Sequence, residues 1–255
     1  MLCQYEVGYM THQGNRRSEN QDSLLLRRGS VGPREFLMLA VADGMGGLAN
    51  GAEASSQAVQ GLDQWWSTQL PELISPELDW EQLEDSLAVA IEAVNWQLCS
   101  RSQRISQRSG TTLSLLFLYE GEYRVFQVGD SRGYLLEDGD LRQITRDQTW
   151  CQQEIDAGHL TPEEAAVHPR RHVLVSALGV NRDYTLGRSA GRLSYGDSIL
   201  LCSDGFYQEM DPALLRTWRG PVQELLDTMA AQILTGPASD NLTAILVRMT
   251  KGRRL

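Results

Sequence analysis

Four short runs in this chain are apolar at nearly every position: Phe36–Ala42, Leu113–Tyr119, Ile199–Cys202 and Ala244–Val247. A strand with one face in water alternates apolar and polar residues, whereas a strand apolar on both faces has to be covered on both. Three amphipathic helical patterns can supply the cover. Ala54, Ala58, Leu62 and Trp65 form one stripe, Leu83, Leu87, Ile91, Val94 and Leu98 a second, and Val222, Leu225, Leu226, Met229 and Ile233 a third. Pro71 and Pro76 separate the first two, while Pro221 and Gly236 bracket the third. Thr111–Thr145 reads as successive strands with only turns between them, including the hairpin turn Glu137-Asp138-Gly139-Asp140. A doubly wound parallel sheet needs strands alternating with helices, so the pattern instead predicts an α+β fold, a four-layer αββα sandwich of two antiparallel sheets flanked by helices. No Pro- or Ser-rich linker, repeat or low-complexity tract divides residues 1–255, which are expected to form one domain. The polar stretch Thr149–Arg171, with Gly158 and Pro162, breaks the strand series and reads as an inserted helical flap beside the site, with Glu154, His159 and Glu163 as candidate substrate contacts.

Aspartates sit at the ends of the apolar runs. Asp43 follows Phe36–Ala42 and opens Asp43-Gly44-Met45-Gly46-Gly47; Asp130 follows Val125–Val128; Asp204 follows Ile199–Cys202; Asp22 and Asp240 each precede an apolar run. Strand ends lie at the edges of sheets, so carboxylates placed there repeatedly can converge on one spot. Core packing asks for nothing of the kind. Converging carboxylates repel unless cations sit between them, and clustered hard oxygen donors suit Mg²⁺ or Mn²⁺.

Bulk properties exclude several classes. A formal net charge of -10 and a pI of about 4.9 disfavour a nucleic-acid partner. The longest unbroken apolar run is Phe36–Ala42, far short of the roughly 20 residues a membrane helix needs, and Met1–Thr11 is too polar for a signal peptide, so no membrane association and a cytoplasmic location are expected. Cys3, Cys99, Cys151 and Cys202 are far apart and form no Cys-x-x-Cys pair, which predicts reduced thiols. None has an arginine six residues later, as a cysteine-based phosphatase requires, and no Gly-Lys pair exists for a P-loop.

The motifs in their order resemble the metal-dependent Ser/Thr protein phosphatases of the PP2C (PPM) family, in the compact bacterial form. They run Gly14-x-x-Arg17-x-x-Asn20-Gln21-Asp22, Asp43-Gly44-Met45-Gly46-Gly47, Ser109-Gly110-Thr111-Thr112, Gly129-Asp130-Ser131-Arg132, Ile144-Thr145-Arg146-Asp147, Gly196-Asp197 leading to Ser203-Asp204-Gly205, and Asp240-Asn241-Leu242-Thr243. The resemblance implies that Asp43 bridges two Mn²⁺ or Mg²⁺ ions, with the Gly44 carbonyl, Asp204 and Asp240 completing the protein ligands. It places Asp22 at the waters of the metal shell or on the metal itself, and Asp130 with Asp204 at a third, weaker metal. Hydroxide generated between the two ions would attack phosphorus in line, and Arg17 would hold two phosphoryl oxygens bidentately. The implied substrates are phosphorylated proteins, those of a bacterial Ser/Thr kinase, and the expected state is a monomer.

Other residues take blander assignments. Asp138, Asp140 and Asp197 read as turn residues, Ser131 and Arg132 as braces of the Asp130 turn, and Ser109–Thr112 as small residues entering a buried strand. His12, His159, His168 and His172 read as solvated, and Met45 stands where some family members carry a general-acid histidine, so no general acid is assigned. Gln148 and Gln208 depart from the family pattern around the third metal and leave the core ligands intact. A catalytically silent phosphoprotein-binding module of the same fold is the alternative, and its usual mark would be a lost metal carboxylate.

Overall fold

The computed structural model describes residues 3–46, 50–105 and 109–252; Gly47, the last residue of the glycine turn after Asp43, lies outside them. The elements run β1 (Cys3–His12), β2 (Asp22–Val31), β3 (Arg34–Gly46), α1 (Asn50–Thr68), α2 (Leu70–Leu73), α3 (Trp80–Ile105), β4 (Ser109–Thr111), β5 (Leu113–Tyr119), β6 (Glu122–Val128) and β7 (Arg132–Glu137). They continue with β8 (Asp140–Gln143), α4 (Trp150–Asp156), α5 (Pro162–Ala166), β9 (Gly187–Arg192), β10 (Ser198–Cys202), α6 (Asp204–Glu209), α7 (Pro212–Thr217), α8 (Val222–Thr235) and β11 (Leu242–Lys251). One antiparallel sheet has the order β1-β11-β10-β7-β8 and the other β2-β3-β5-β6-β9, with β4 paired to the far end of β3.

Doubly apolar strands explain the layers. In β3, Phe36, Met38 and Ala40 face α1 and α3, while Leu37, Leu39 and Val41 face the opposite sheet. In β10, Ile199 and Leu201 join the layer between the sheets, and Leu200 and Cys202 face α8. Each run therefore serves two cores at once, as the period of two along a strand dictates. The three helical stripes fill the outer layers: Ala58, Leu62, Leu83, Leu87 and Ile91 are wholly buried over one sheet, and Leu226 over the other. Truncating any of these leucines to alanine should cost roughly 2–5 kcal/mol. This is the αββα sandwich the sequence predicts.

The turns follow their residues. Asp138 and Gly139 both take positive φ, 51° and 87°, between the paired Glu137 and Asp140, as a tight hairpin requires. Within the 149–171 segment, Thr149 caps α4 by accepting from the Gln152 N–H, and Thr161 with Glu164 forms a capping box around Pro162 at the start of α5. Among the described residues, no helix is long and apolar enough to cross a membrane.

Candidate active site

The strand ends meet as the sequence suggests. Asp22 opens β2 and Asp43 lies near the end of β3, and the two are direct cross-strand partners. Like charges in that position repel. Asp204 opens α6 straight after β10, Asp240 immediately precedes Asn241 and β11, and Asp130 follows β6. Asp43, Gly44, Asp130, Asp204, Asp240 and Arg17 all line one cavity of about 650 Å³. Asp22 is buried behind it, with one carboxylate oxygen accepting from the Ser203 hydroxyl at 2.8 Å and the other, Oδ1, buried with no hydrogen-bond partner among the described residues.

The surroundings hold these groups in place. Asp43 donates its N–H to Thr112 Oγ1 (2.9 Å), and its carbonyl accepts from the Thr112 N–H and the Thr111 hydroxyl. Ser131 bonds Thr112 Oγ1 at 2.6 Å. Thr111 and Thr112, of the small residues expected to enter a buried strand, thus hold the Asp43 backbone in place. Gly44 is packed so closely that a Cβ there would lie 2.1 Å from the Gly51 carbonyl oxygen and 2.6 Å from that of Gln21, so no other residue fits. Gly14 has φ +77°, and a Cβ on it would lie 2.1 Å from the Asp240 carbonyl oxygen, which seats the Arg17 loop directly on the Asp240 loop.

Crowding of carboxylates raises their proton affinity. Asp43 is held well above the ordinary carboxylate range, by burial first and then by the charges of Asp22, Asp204, Asp130 and Asp240. Burial, reinforced by Asp204, pushes Asp130 up to about 7, and burial likewise takes Asp22 to about 6 against the lowering bond from Ser203.

The protein's own donors meet part of this charge. Arg17 Nη2 bonds Asp240 Oδ2 at 2.7 Å, His172 Nδ1 lies 3.6 Å from Asp204 Oδ2, and Gln208 donates to that same oxygen at 3.1 Å. As the side chains stand, no group of three or more acidic, histidine or cysteine residues among the described ones is closed into a metal-holding set. The donor chemistry nonetheless fits divalent cations: an orphaned buried carboxylate oxygen, carboxylates of raised proton affinity, and oxygen donors throughout.

Three residues have roles the sequence did not disclose. His172, read as solvated, lines the cavity and leans on Asp204, which holds its imidazole above the ordinary histidine value. Asn241 is buried and uses its whole amide on the Arg17 loop: Oδ1 accepts from the Gln21 N–H (2.9 Å), and Nδ2 donates to the carbonyls of Gln13 and Glu19 (both 2.9 Å). Gln148 accepts from the Gly129 N–H (2.9 Å) and donates to the Thr185 carbonyl (3.1 Å), bracing the turn that carries Asp130. An Asp-Asn pair before a strand was the only sequence signal for Asn241, and Gln148 carried none beyond its departure from the family pattern.

Asp197 accepts from the Ser194 N–H within its turn, as expected of a turn residue, whereas Arg132, expected to brace the Asp130 turn, pairs instead with Asp147 at 2.6 Å and stacks on Tyr207. In the 149–171 segment, however, Glu154 and His159 pair with each other at the exposed surface and Glu163 is exposed. Other residues of the segment, Gln152, Ile155, Pro162, Ala165 and Arg171 among them, face a neighbouring cavity of about 410 Å³, which also touches His172 and Gln208. Helix phase decides this, because α4 turns Gln152 and Ile155 to one side and Glu154 to the other.

A family model described as protein phosphatase 2C matches residues 11–247. The chain is 33% identical over 226 residues to the serine/threonine phosphatase Stp of Listeria welshimeri, covering 85% of this chain and 87% of that one. Among solved structures, the S. agalactiae serine/threonine phosphatase superposes with a TM-score of 0.87 at 25% identity, covering 97% of this chain and 100% of that one. The catalytic domain of the serine/threonine protein phosphatase PstP, crystallised with two manganese ions, gives 0.79 at 29% identity, covering 98% and 100%.

Proposed function

The chain belongs to the protein phosphatase 2C family and is a protein serine/threonine phosphatase, and from that premise we propose that it hydrolyses phosphoserine and phosphothreonine with divalent cations held by Asp43, Asp204 and Asp240, in opposition to a Ser/Thr kinase. The observation that carries this is the convergence of those carboxylates with Gly44, Asp130 and Arg17 on one cavity. Asp43, central in the cluster and raised by burial and then by all four other aspartates, would hold the ions together with the Gly44 carbonyl, Asp204 and Asp240. Asp22 stands behind Asp43 to support that shell, and Asp130 with Asp204 would hold a third, weaker ion. Bound there, Mn²⁺ or Mg²⁺ supplies hydroxide at neutral pH and offsets the charge of the phosphoryl oxygens.

The chain's own residues do the rest. Arg17 engages Asp240 through Nη2 and lines the cavity, where its planar guanidinium donors would match two phosphoryl oxygens. Asn241 keeps the Arg17 loop on the Asp240 loop, so clamp and ligand keep a fixed spacing. None of the four cysteines lines the cavity: Cys3 stands half-buried at the start of β1, Cys99, Cys151 and Cys202 are buried, and burial pushes the Cys202 thiol far up, away from the thiolate a nucleophile needs. None of the aspartates whose loss would mark a silent module is missing.

Phosphate release from a phosphothreonine peptide tests this, with Mn²⁺ and then with excess chelator. Turnover that appears with the ion and vanishes with the chelator is expected. Chelator-resistant turnover at full rate would refute the metal mechanism.

A further inference from the structure

We propose that the phosphoprotein substrate lies across the rim of the catalytic cavity as an added β-strand, hydrogen-bonded to the free backbone edge of Leu174. The inference rests on the phosphatase reading and names how that site takes hold of a polypeptide.

The extended segment after the 149–171 insertion is paired along one edge only. Trp150 donates its N–H to the Val173 carbonyl (2.8 Å) and Val175 donates to the Gln148 carbonyl (2.9 Å), which makes Thr149 and Leu174 an antiparallel bridge. In that arrangement the two bonds flank the bridged residues, and the N–H and C=O of Leu174 itself point to the opposite edge. Neither has a hydrogen-bond partner among the described residues. Leu174 also lines the cavity that holds Asp43, Asp204 and Arg17, so the residue with the open backbone groups borders the active site.

The edge is held ready. Its bridge partner Thr149 is fixed as the cap of α4; upstream, Val173 donates its N–H to the Arg170 carbonyl (3.0 Å), and downstream, Leu178 exchanges both backbone bonds with Thr111, each 2.9 Å, next to the Thr112 that anchors Asp43. A strand pinned at both ends costs little further ordering when a peptide pairs with it. Val173 and Val175, on either side of Leu174, are 47% and 43% exposed and offer apolar contact to the side chains of a paired strand.

The occupant follows from the size and place of the edge. A single open residue supplies two backbone hydrogen bonds, too few to hold a second copy of this chain. Two bonds are enough to orient a chain already tethered through its phosphate, and a polypeptide whose phosphorylated residue enters the cavity must pass this rim. Backbone pairing reads no side chain, so it suits an enzyme acting on several sequences.

A series of phosphothreonine peptides tests the proposal, each N-methylated at one successive position around the phosphothreonine, with kcat/KM measured in Mn²⁺ against the unmodified peptide. A residue paired with Leu174 exchanges both bonds with it, while its two neighbours point their N–H groups away. One position should therefore lose roughly tenfold in kcat/KM, the worth of one hydrogen bond, and the positions flanking it should change little. An ester in place of the amide at that position deletes the N–H without the methyl bulk and should reproduce the loss. Uniform sensitivity, no sensitive position, or an ester that restores full rate would each overturn the strand. An unmodified peptide that is not hydrolysed at all would overturn the phosphatase reading and the proposal with it.

Discussion

Protonation of the metal-free site should control its stability, and Asp130 gives the clearest measure. Its carboxyl is pushed from 3.8 to about 7, mainly by burial and next by Asp204. A raised carboxylate pKa means that the folded state keeps a proton which the unfolded chain releases at lower pH, so stability falls as pH rises from about 4 to about 7 and stays low above that. A shift of about three units at about 1.36 kcal/mol each comes to about 4 kcal/mol. In a chain of this size that corresponds to roughly 8–16 °C in Tm. Asp130→Asn removes the ionisation and keeps the shape. In excess chelator, scanning calorimetry should show the variant melting well above the wild type at about pH 8, with the gap closing as the pH approaches 4. Wild-type protein with Mn²⁺ at about pH 8 should recover the lost stability, because the ion replaces the proton. A metal-free melting temperature that is flat or rises between about pH 5 and about pH 8, with no gap to the variant, would refute the electrostatic reasoning.

Arg17→Ala should raise KM for p-nitrophenyl phosphate and lower kcat, because a charge-assisted clamp strengthens as charge redistributes on the phosphoryl group; calorimetric Mn²⁺ binding that disappears in this variant would make Arg17 a brace of Asp240 and not a clamp. Asn241→Asp turns two donors into acceptors facing the Gln13 and Glu19 carbonyls, and should cost about tenfold or more in kcat/KM. If Asn241 works by positioning Arg17, the same substitution added to Arg17→Ala should cost little more, whereas full additivity would leave it a merely structural residue. Changing all four cysteines to serine should leave an active phosphatase when folded protein is compared, and lost turnover at an unchanged melting temperature would count against metal-based chemistry.

The sheets and their helical cover were legible because the doubly apolar runs are unambiguous: Phe36–Ala42 has only one way to bury both its faces. Convergence of Asp43, Asp130, Asp204 and Asp240 was legible for a related reason, since a strand end fixes where its next residue stands. Partners chosen in three dimensions were not. Asn241 binds residues more than 200 positions away, and Gln148 spans from the Asp130 turn to Thr185. His172 looked like one solvated histidine among four, and only the path of the segment after α5 brings it to Asp204. The face that α4 turns inward was open to error as well, because a seven-residue helix with mixed polarity carries too weak a stripe to set its phase.

The central claim is that the aspartate cluster holds catalytic cations, and Mn²⁺ titration calorimetry on wild type and Asp43→Asn, paired with turnover of p-nitrophenyl phosphate on the same samples, tests it most directly. The account predicts that wild type binds a pair of ions, and that Asp43→Asn stays folded, melts no lower than wild type in chelator, binds Mn²⁺ far more weakly and loses its turnover. An Asp43→Asn variant that hydrolyses the ester at near-normal rate in Mn²⁺ would contradict it.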